Sequence, residues 1–261
     1  MPSEKLNISL LQTHMKWEDK EANLAHYEQL IAGIQEKKEV VVLPEMFSTG
    51  FSMAAEKLAE TMDGASVSWM KAIAAKHNCI LTGSLIIAAD GKYYNRMLWV
   101  LPNGETGHYD KRHLFGYADE NKHYSPGDKR LIAQVKGWRI CLMVCYDLRF
   151  PVWARNQGEE YDVLIYAANW PDRRILAWKT LLQARAIENM SYVVGVNRVG
   201  VDGNDISYSG YSSVFGPLGE TIWQQADVEA VHTVTLDKEH LQHTRSHFPF
   251  LNDADKFLLI P

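Results

Sequence analysis

The sequence has no excess of charge of one sign and no long apolar run. Its 261 residues include 27 Lys and Arg and 32 Asp and Glu, which give a net charge of −5 with both signs interspersed. Because there is no basic tract, nucleic-acid binding is not expected. No apolar run approaches the roughly 18 residues that a membrane span needs, and the opening MPSEKLNISLLQ lacks the features of a secretion signal. We expect a soluble, cytoplasmic protein whose partner is a small molecule or another protein.

Cysteine is scarce in this chain, with Cys79, Cys141 and Cys145 as its three representatives. An odd number of cysteines in a chain of this length is typical of reduced thiols rather than of a disulfide framework. The sequence also lacks a CxxC motif and a glycine-rich phosphate loop. We therefore expect neither a metal nor an organic cofactor, so that any chemistry must come from the side chains of the protein.

Short apolar segments rich in β-branched residues alternate with amphipathic stretches, which is typical of an α/β fold. The segments VVVL and VLIYAA are continuously apolar, a pattern that predicts central strands covered on both faces. The amphipathic stretches 17–38, 66–77 and 173–190 predict helices that pack on the sheet. No linker divides the chain, so a single domain over residues 1–261 is expected.

Local signals predict where some of these elements begin and end. Asp90-Gly91 and Asn103-Gly104 are dipeptides that favour hairpins between strands. Asp63 stands just before a predicted helix and would cap its N-terminus. Pro151 would open a short helix after the strand that leads to Cys145.

Chemically useful side chains stand where predicted strands end. The predicted strand in VVVLPEMF is followed by Glu45, and the one in RICLMVCYD is followed by Cys145. In GHYDKRHLF, Lys111 follows a third predicted strand. A fourth strand, DVLIYAANW, ends in Asn169 and Trp170. Ligands of open α/β sheets bind beyond the carboxyl ends of the strands, so we expect these side chains to converge at one rim.

A carboxylate, an amine and a thiol together suit attack on an acyl carbon. A thiol with its ordinary pKa of about 8.5 is only slightly ionised at neutral pH, and Glu45 would serve as its base. Lys111 and the backbone N–H of Tyr146 would neutralise the oxyanion that forms. Taken singly, each residue has an ordinary interpretation as a packed thiol, a solvated acid or an exposed amine. Cys79 and Cys141 keep that interpretation, as thiols packed in the core.

The combination of three local strings resembles the nitrilase superfamily of carbon–nitrogen hydrolases. Glu45 stands in LPEMF, Lys111 in YDKRHLF and Cys145 in VCYDLRFP, which is the order of that family's Glu–Lys–Cys triad. The resemblance extends from ISLLQ through ANWP, ARAIEN and NRVGVDGN to GPLGE and so covers most of the chain. Within the family the chain looks most like the short bacterial omega-amidases, which deamidate monoamides of dicarboxylic acids.

This resemblance implies a fold, an assembly and a reaction. The fold would be a four-layer αββα sandwich, and the assembly a homodimer, for which the helix over 173–190 with Trp178 and Leu182 is a candidate interface. Burial inside the protomer would explain these two side chains equally well. The reaction would pass through a thioester on Cys145 and release ammonia from 2-oxoglutaramate or 2-oxosuccinamate. Glu120 in DENKHYSPG would hold Lys111, with the neighbouring Asp119 as a competing choice.

A substrate of this class carries a distal carboxylate, so its pocket should supply a cation. Arg149 and Arg173 or Arg174 are the candidates, with a structural tie to Asp147 as the alternative role of Arg149. Trp170 and Phe47 would help to line the pocket, their alternative being ordinary core aromatics. Asn169, beside Trp170, is a further candidate contact.

Other functions remain open at this level. Nitriles, carbamoyl amines and other amides are also substrates within the family, and the triad handles only the acyl carbon. A Cys/His thiol hydrolase with His113 or His247 as base is a second possibility. A non-catalytic binding member of the same fold is a third.

Overall fold

The computed structural model of the protein describes residues 4–259. Its strands are β1 (Lys5–Gln12), β2 (Val40–Val42), β3 (Ile80–Ala89), β4 (Lys92–Val100), β5 (Thr106–Asp110), β6 (Ile132–Val135), β7 (Trp138–Val144), β8 (Val163–Ala167), β9 (Tyr192–Val196), β10 (Val199–Val201), β11 (Ser207–Phe215), β12 (Thr221–Ala226) and β13 (Ala230–Asp237). Its α-helices are α1 (Lys20–Gly33), α2 (Ala55–Leu58), α3 (Ala65–His77), α4 (Glu120–His123), α5 (Pro151–Ala154), α6 (Ile175–Asn189) and α7 (Lys238–His247). Short 3-10 helices follow several strands, including one over Cys145–Arg149.

The first sheet has the strand order β13-β1-β2-β3-β4-β5. The apolar segment VVV forms β2, which lies between β1 and β3 and runs parallel to both. This confirms the prediction of a central strand, since each face of β2 is covered. Both predicted hairpins are also confirmed: Asp90-Gly91 joins β3 to β4, and Asn103-Gly104 lies between β4 and β5.

The second sheet has the order β10-β11-β9-β8-β7-β6, and β12 pairs with β11. The segment VLIYA forms β8, parallel to β7 on one side and to β9 on the other. All five residues of β8 are buried, as a strand covered on both faces requires. The carboxyl ends of β7 and β8 therefore lie side by side, one carrying Cys145 and the other leading to Asn169.

The two sheets pack face to face, with helices on their outer sides. β4 contacts β7, and β1 contacts β9 and β11, so the main apolar core lies between the sheets. Helices α1 and α3 cover the outer face of the first sheet through a second core. Helix α6 covers the second sheet, where Trp178 and Leu182 pack closely against Gly195. The layers are helix, sheet, sheet and helix, which confirms the predicted αββα sandwich.

Two helix boundaries differ in detail from the sequence expectation. Asp63 does not cap α3; instead the side chain of Glu60 accepts hydrogen bonds from the backbone N–H and the hydroxyl of Ser66, at 2.7 and 2.6 Å. A capping rule considers only residues next to the helix, so it does not predict that Glu60, which lies several residues earlier, caps α3. Helix α1 begins after Asp19, whose carboxylate accepts from Ala22, and ends at Gly33 rather than near residue 38. Pro151 opens α5 as predicted.

Membrane-crossing helices are not found in the part of the chain that the structure describes: none of its helices has both the necessary length and the necessary apolar character.

Candidate active site

Four strand ends supply the polar side chains of one site. Glu45 follows β2, Lys111 follows β5, Cys145 follows β7 and Asn169 follows β8. The first two belong to one sheet and the last two to the other. The site therefore lies where the two sheets end side by side, as the strand-end argument predicts.

Cys145 sits at a strained turn between a strand and a 3-10 helix. Its φ of 42° lies in the left-handed region, which is unfavourable for a residue with a Cβ atom and persists only when its surroundings hold it. The buried carboxylate of Asp147 supplies part of that support, because it accepts a hydrogen bond from the backbone N–H of Val144 at 3.0 Å. The Cys145 thiol points toward the backbone carbonyl of Asn169, with Sγ 3.8 Å from that oxygen.

Lys111 joins two buried carboxylates. Its Nζ lies 2.8 Å from Oε1 of Glu45 and 2.9 and 3.0 Å from the two oxygens of Glu120. None of the three side chains is exposed to solvent. Glu120 also accepts a hydrogen bond from the backbone N–H of Phe115 at 2.6 Å. The competing candidate Asp119 is instead exposed and pairs with Lys122, so Glu120 is the acid that contacts the lysine.

Two buried asparagines complete the hydrogen bonds of Glu45. Nδ2 of Asn95, in β4, donates to Oε1 of Glu45 at 2.8 Å. The backbone N–H of Asn169 donates to Oε2 at 2.9 Å, and Nδ2 of Asn169 donates to the Glu45 carbonyl oxygen at 2.6 Å. Asn95 was missed at the sequence level, although an asparagine within the strand segment YYNRMLWV is a signal, because a polar side chain in a buried strand needs a partner.

Burial and charge shift the proton affinities of the site in different directions. Burial raises the pKa of Cys145 well above its ordinary value, the Glu45 charge raises it further, and Lys111 opposes both. Burial alone would lower the pKa of Lys111, but Glu120 and Glu45 raise it above its ordinary value. Burial also raises the pKa of Glu120, against the opposing charge of Lys111. The resting nucleophile is thus a thiol, which needs a base to attack.

The other two thiols are unsuited to catalysis. Burial raises the pKa of Cys141 to about 12 and that of Cys79 to about 11. Neither lines the cavity beside Cys145, and both pack in apolar cores. This confirms that they are core residues.

A small cavity of about 100 Å³ opens onto Cys145 and Lys111. Its wall combines aromatic rings with arginines, a mixture that suits a small anion with an apolar stem. The lining residues are Phe51, Lys111, Phe115, Tyr117, Ala118, Cys145, Tyr146, Arg149, Asn169, Trp170, Pro171, Arg173, Arg174, Ile206 and Tyr208.

Three arginines stack on the aromatic wall without an ion pair to any acid among residues 4–259. The guanidinium of Arg174 lies 4.8 Å from the ring centre of Phe115, and that of Arg149 lies 5.1 Å from the ring of Trp170. Arg173 lies 5.9 Å from Tyr117, whose side chain is 79% exposed, at the rim. Arg174 is half-buried whereas Arg149 and Arg173 are exposed. Arg174 is therefore the least exposed of the three arginines, and all three were candidates from the sequence.

Several expectations need correction against this geometry. Phe47 does not line the cavity but is fully buried in the core of the first sheet, in edge-to-face contact with Tyr27. Phe51, four residues further along the chain, lines the cavity instead. Arg149 is not tied to Asp147, whose oxygens accept from Val144, Tyr109 and His113 instead.

The histidines proposed as alternative bases lie outside the cavity wall. Nδ1 of His113 lies 2.8 Å from Asp147, and its ring stacks on Phe150 at 3.8 Å between ring centres. His247 ends helix α7, with its ring against Phe248. Within the described range no group of three or more His, Cys, Asp or Glu side chains could hold a metal ion.

Comparison with known proteins identifies the family of this chain. The sequence model of the carbon–nitrogen hydrolase family matches residues 7–246. The chain belongs to the carbon–nitrogen hydrolase family. Among curated relatives of this family, the omega-amidase YafV of Escherichia coli (strain K12) is 46% identical over 258 residues, covering 97% of this chain and 98% of the relative. The 2-oxoglutaramate amidase of Bacillus subtilis (strain 168) is 31% identical over 258 residues, with 97% and 99% covered.

A solved structure of the same superfamily has the same fold. XC1258 from Xanthomonas campestris, a CN-hydrolase superfamily protein with an arsenic adduct in its active site, superposes with a TM-score of 0.96. It is 42% identical, and the alignment covers 98% of this chain and all of that one. The αββα sandwich of this carbon–nitrogen hydrolase is thus the fold of an experimentally solved relative.

Proposed function

We propose that the protein is an amidase that hydrolyses the terminal carboxamide of small dicarboxylate monoamides, such as 2-oxoglutaramate and 2-oxosuccinamate, to the acid and ammonia. The observation that carries this proposal is the arrangement of Cys145 between a buried Glu–Lys–Glu cluster and a cavity lined by unpaired arginines. The first feature suits acyl transfer from an amide, and the second suits a substrate with a carboxylate at its other end.

In the first half of the reaction, the Cys145 sulfur bonds to the carboxamide carbon while Glu45 takes the thiol proton. The carbonyl electrons move to the oxygen, which Lys111 and the backbone N–H of Tyr146 stabilise. The C–N bond then breaks, and Glu45 returns the proton to the nitrogen, which leaves as ammonia. The acyl group remains on Cys145 as a thioester.

In the second half, a water molecule attacks the thioester carbon and Glu45 takes one of its protons. The C–S bond breaks as the tetrahedral species collapses, and the sulfur regains the proton from Glu45. The free acid leaves. Glu120 holds Lys111 in place in both halves through two short contacts, so that one carboxylate transfers protons and the other positions the cation.

The asparagine at the end of β8 suits the binding of the amide itself. Nδ2 of Asn169 donates to the Glu45 carbonyl oxygen, which fixes its side-chain orientation. Its Oδ1 is buried, has no hydrogen-bond partner among residues 4–259 and belongs to a cavity-lining residue. This oxygen is placed to accept an N–H of the substrate carboxamide.

The distal carboxylate of the substrate would pair with Arg174, supported by Arg149. Arg174 is the least exposed of the three arginines in the wall, and it lines the same cavity as Cys145. Arg173 is at the rim and would attract the substrate rather than bind it. The names of the relatives, omega-amidase and 2-oxoglutaramate amidase, support a substrate of this class.

The test is ammonia release from 2-oxoglutaramate, 2-oxosuccinamate, glutamine, a carbamoyl amine and a simple nitrile. We expect turnover of the two keto-acid amides to exceed that of the other three. Arg174→Gln should raise KM for the keto-acid amides about 10- to 100-fold with a smaller change in kcat, because it removes a charged hydrogen bond made equally in ground and transition states. Arg173→Gln, at the rim, is the matched control. Activity confined to the nitrile or the carbamoyl amine would overturn the proposal.

The other function classes have less support from the structure. A Cys/His mechanism has less support because the ring of His113 contacts Asp147 and Phe150, and that of His247 contacts Phe248. A purely binding role would leave unexplained why a thiol, a base and a cation meet at the ends of four strands. Nitrile or carbamoyl substrates would make no use of the unpaired arginines.

We also propose that the chain works as one catalytic domain, in the cytoplasm and as a homodimer. Three free thiols, one of them the nucleophile, suit a reducing compartment, and cell fractionation with an antibody would test it.

Trp178 and Leu182 are fully buried inside the protomer, so they cannot form an interface. On the outer face of α6, however, Leu176 is 76% and Ile187 52% exposed, and large exposed apolar side chains mark contact surfaces.

A further inference from the structure

We propose that Asn95 is a positioning residue that keeps Glu45 and Glu120 together in their ionised forms on either side of Lys111. This inference rests on the proposed amidase function only for its kinetic readout. Its structural basis is a single side-chain amide shared by two buried carboxylates.

The geometry places Asn95 in contact with every charged member of the cluster. Its Nδ2 donates to Oε1 of Glu45 at 2.8 Å and to Oε1 of Glu120 at 3.2 Å. Its backbone carbonyl accepts from the backbone N–H of Lys111 at 3.0 Å. The side chain is fully buried in β4. One residue thus fixes the two acids and the strand end that carries the cation.

The orientation of the amide follows from this contact. The Oδ1 of Asn95 is buried and has no hydrogen-bond partner among residues 4–259, which is unfavourable. Rotating the amide would place that oxygen against two carboxylate oxygens, an arrangement without a donor. Only the NH2 group of the side chain can donate hydrogen bonds to the two carboxylates. When it does so, Oδ1 is left without a partner among residues 4–259.

Charge explains why such a donor is needed. Two carboxylates and one ammonium leave an excess negative charge in a site without solvent, which favours protonation of one acid. Each N–H that points at a carboxylate favours its charged form. Glu45 must be charged to accept the thiol proton, so the donor keeps the base ready at lower pH.

Other groups around the cluster do not replace Asn95. The charged and titratable side chains that act on the two acids or on Cys145 are Lys111, Tyr124, Arg174 and Tyr208. Lys111 is already shared between both acids. The hydroxyl of Tyr124 donates to the carbonyl of Ser52 rather than to Glu120. Phe51 faces the remaining side of the ammonium with its ring.

The experiment compares the pH dependence of two reactions in wild type, Asn95→Leu and Asn95→Asp. One reaction is ammonia release from 2-oxoglutaramate. The other is alkylation of Cys145 by iodoacetamide, followed by mass spectrometry, which needs no substrate. Loss of the donor favours protonation of the two acids, so activity should disappear at a higher pH as the solution is acidified. We expect the acid limb of both profiles to move up by about one pH unit or more, a tenfold loss of rate per unit below the limb.

The matched control is Asn156→Leu, which removes a buried asparagine that donates to the backbone carbonyls of Tyr161 and Asn189, away from the cavity. It should lower stability and leave both acid limbs in place. Asn95→Asp keeps the shape of the side chain if Asn95→Leu fails to fold. Acid limbs that stay at the wild-type pH in a folded Asn95 variant would overturn the inference. A wild type that hydrolyses none of the amides, with a shifted alkylation profile in the variants, would overturn the proposed function and support the role of Asn95.

Discussion

The Glu45 carboxylate accepts three hydrogen bonds, from Lys111, Asn95 and the backbone of Asn169, and in the proposed mechanism it is the base for the buried thiol. Glu45→Gln keeps the size of the side chain and removes its ability to take a proton. We expect kcat/KM for the keto-acid amides to fall by about 10²- to 10⁴-fold, the usual contribution of a general base. Steady-state ammonia release, with circular dichroism to show an intact fold, measures this.

Glu60→Gln is the control for this substitution. Glu60 is also a carboxylate with several donors, at the start of α3, but it is not part of the cavity wall. Its variant should lose some stability and keep full turnover. If Glu45→Gln retained most of the wild-type rate, a mechanism based on Glu45 would be excluded.

At the scale of single residues, sequence strings identified the charged groups and Asn169 but missed Asn95. Glu45, Lys111, Cys145 and Glu120 stand in short strings that are recognisable one at a time, and the structure brings them together. Asn95 acquires its contacts only because β4 lies beside β5 and near the end of β2, a relation that no local string contains. The exchange of Phe47 for Phe51 in the wall has the same origin, since the direction of the chain after Glu45 depends on the turn that follows it.

The turn that carries Cys145 depends on one carboxylate. Oδ2 of Asp147 accepts from Val144 N at 3.0 Å and from the Tyr109 hydroxyl at 2.7 Å. Its Oδ1 accepts from the backbone N–H of His113 at 3.0 Å and lies 2.8 Å from the ring Nδ1. These bonds connect the Cys145 turn to the segment just after Lys111. Asp147 thus joins the turn that carries Cys145 to the segment that follows Lys111.

Asp147→Asn should destabilise the fold and misplace the nucleophile. Either orientation of the new amide points its NH2 at a backbone N–H, that of Val144 or that of His113. We therefore expect a loss of about 2–4 kcal/mol in the free energy of unfolding and slower alkylation of Cys145. Urea unfolding measures the first and mass spectrometry the second. Asp119→Asn, an exposed acid, should change stability by less than about 0.5 kcal/mol. A variant Asp147→Asn as stable as wild type would contradict this role.

At the scale of elements, periodicity and turn residues predicted most of the strands, both hairpins and the start of α5. Asp63 was predicted as the N-terminal cap of α3 because capping rules consider only residues next to the helix. The cap is Glu60, which also pairs with Lys20 at the start of α1. Glu60 rather than Asp63 caps α3 because α1 packs beside α3, and this packing cannot be read from the local sequence.

At the scale of the whole molecule, the sequence pattern predicted central strands but not how the sheets pair. Continuous apolar segments such as β2 and β8 require cover on both faces, and either one doubly covered sheet or two stacked sheets would satisfy that requirement. The αββα arrangement was predicted from family resemblance. In the structure, the two hairpins add β4 and β5 to the first sheet as antiparallel strands. The resulting sheet packs face to face against the second sheet.

The assembly is the remaining prediction at this scale. Leu176 and Ile187 are eleven residues apart on α6 and so share one face, and Leu218 is half exposed beside Gly219, against which Ile187 packs. This face is apolar enough to favour a second copy of the chain, and identical chains most often pair with twofold symmetry. Size-exclusion chromatography with light scattering should give twice the 29.7 kDa of one chain.

Leu176→Glu places a charge on this face at little cost to the protomer, because the side chain is largely exposed. At micromolar concentration it should shift the protein toward the monomer, since a charge buried without a partner opposes association. Val201→Glu changes an exposed apolar residue on β10, away from α6, and should leave the dimer intact. A wild type that elutes as a clean monomer would exclude the homodimer, and a Leu176→Glu dimer as tight as wild type would place its interface on another surface.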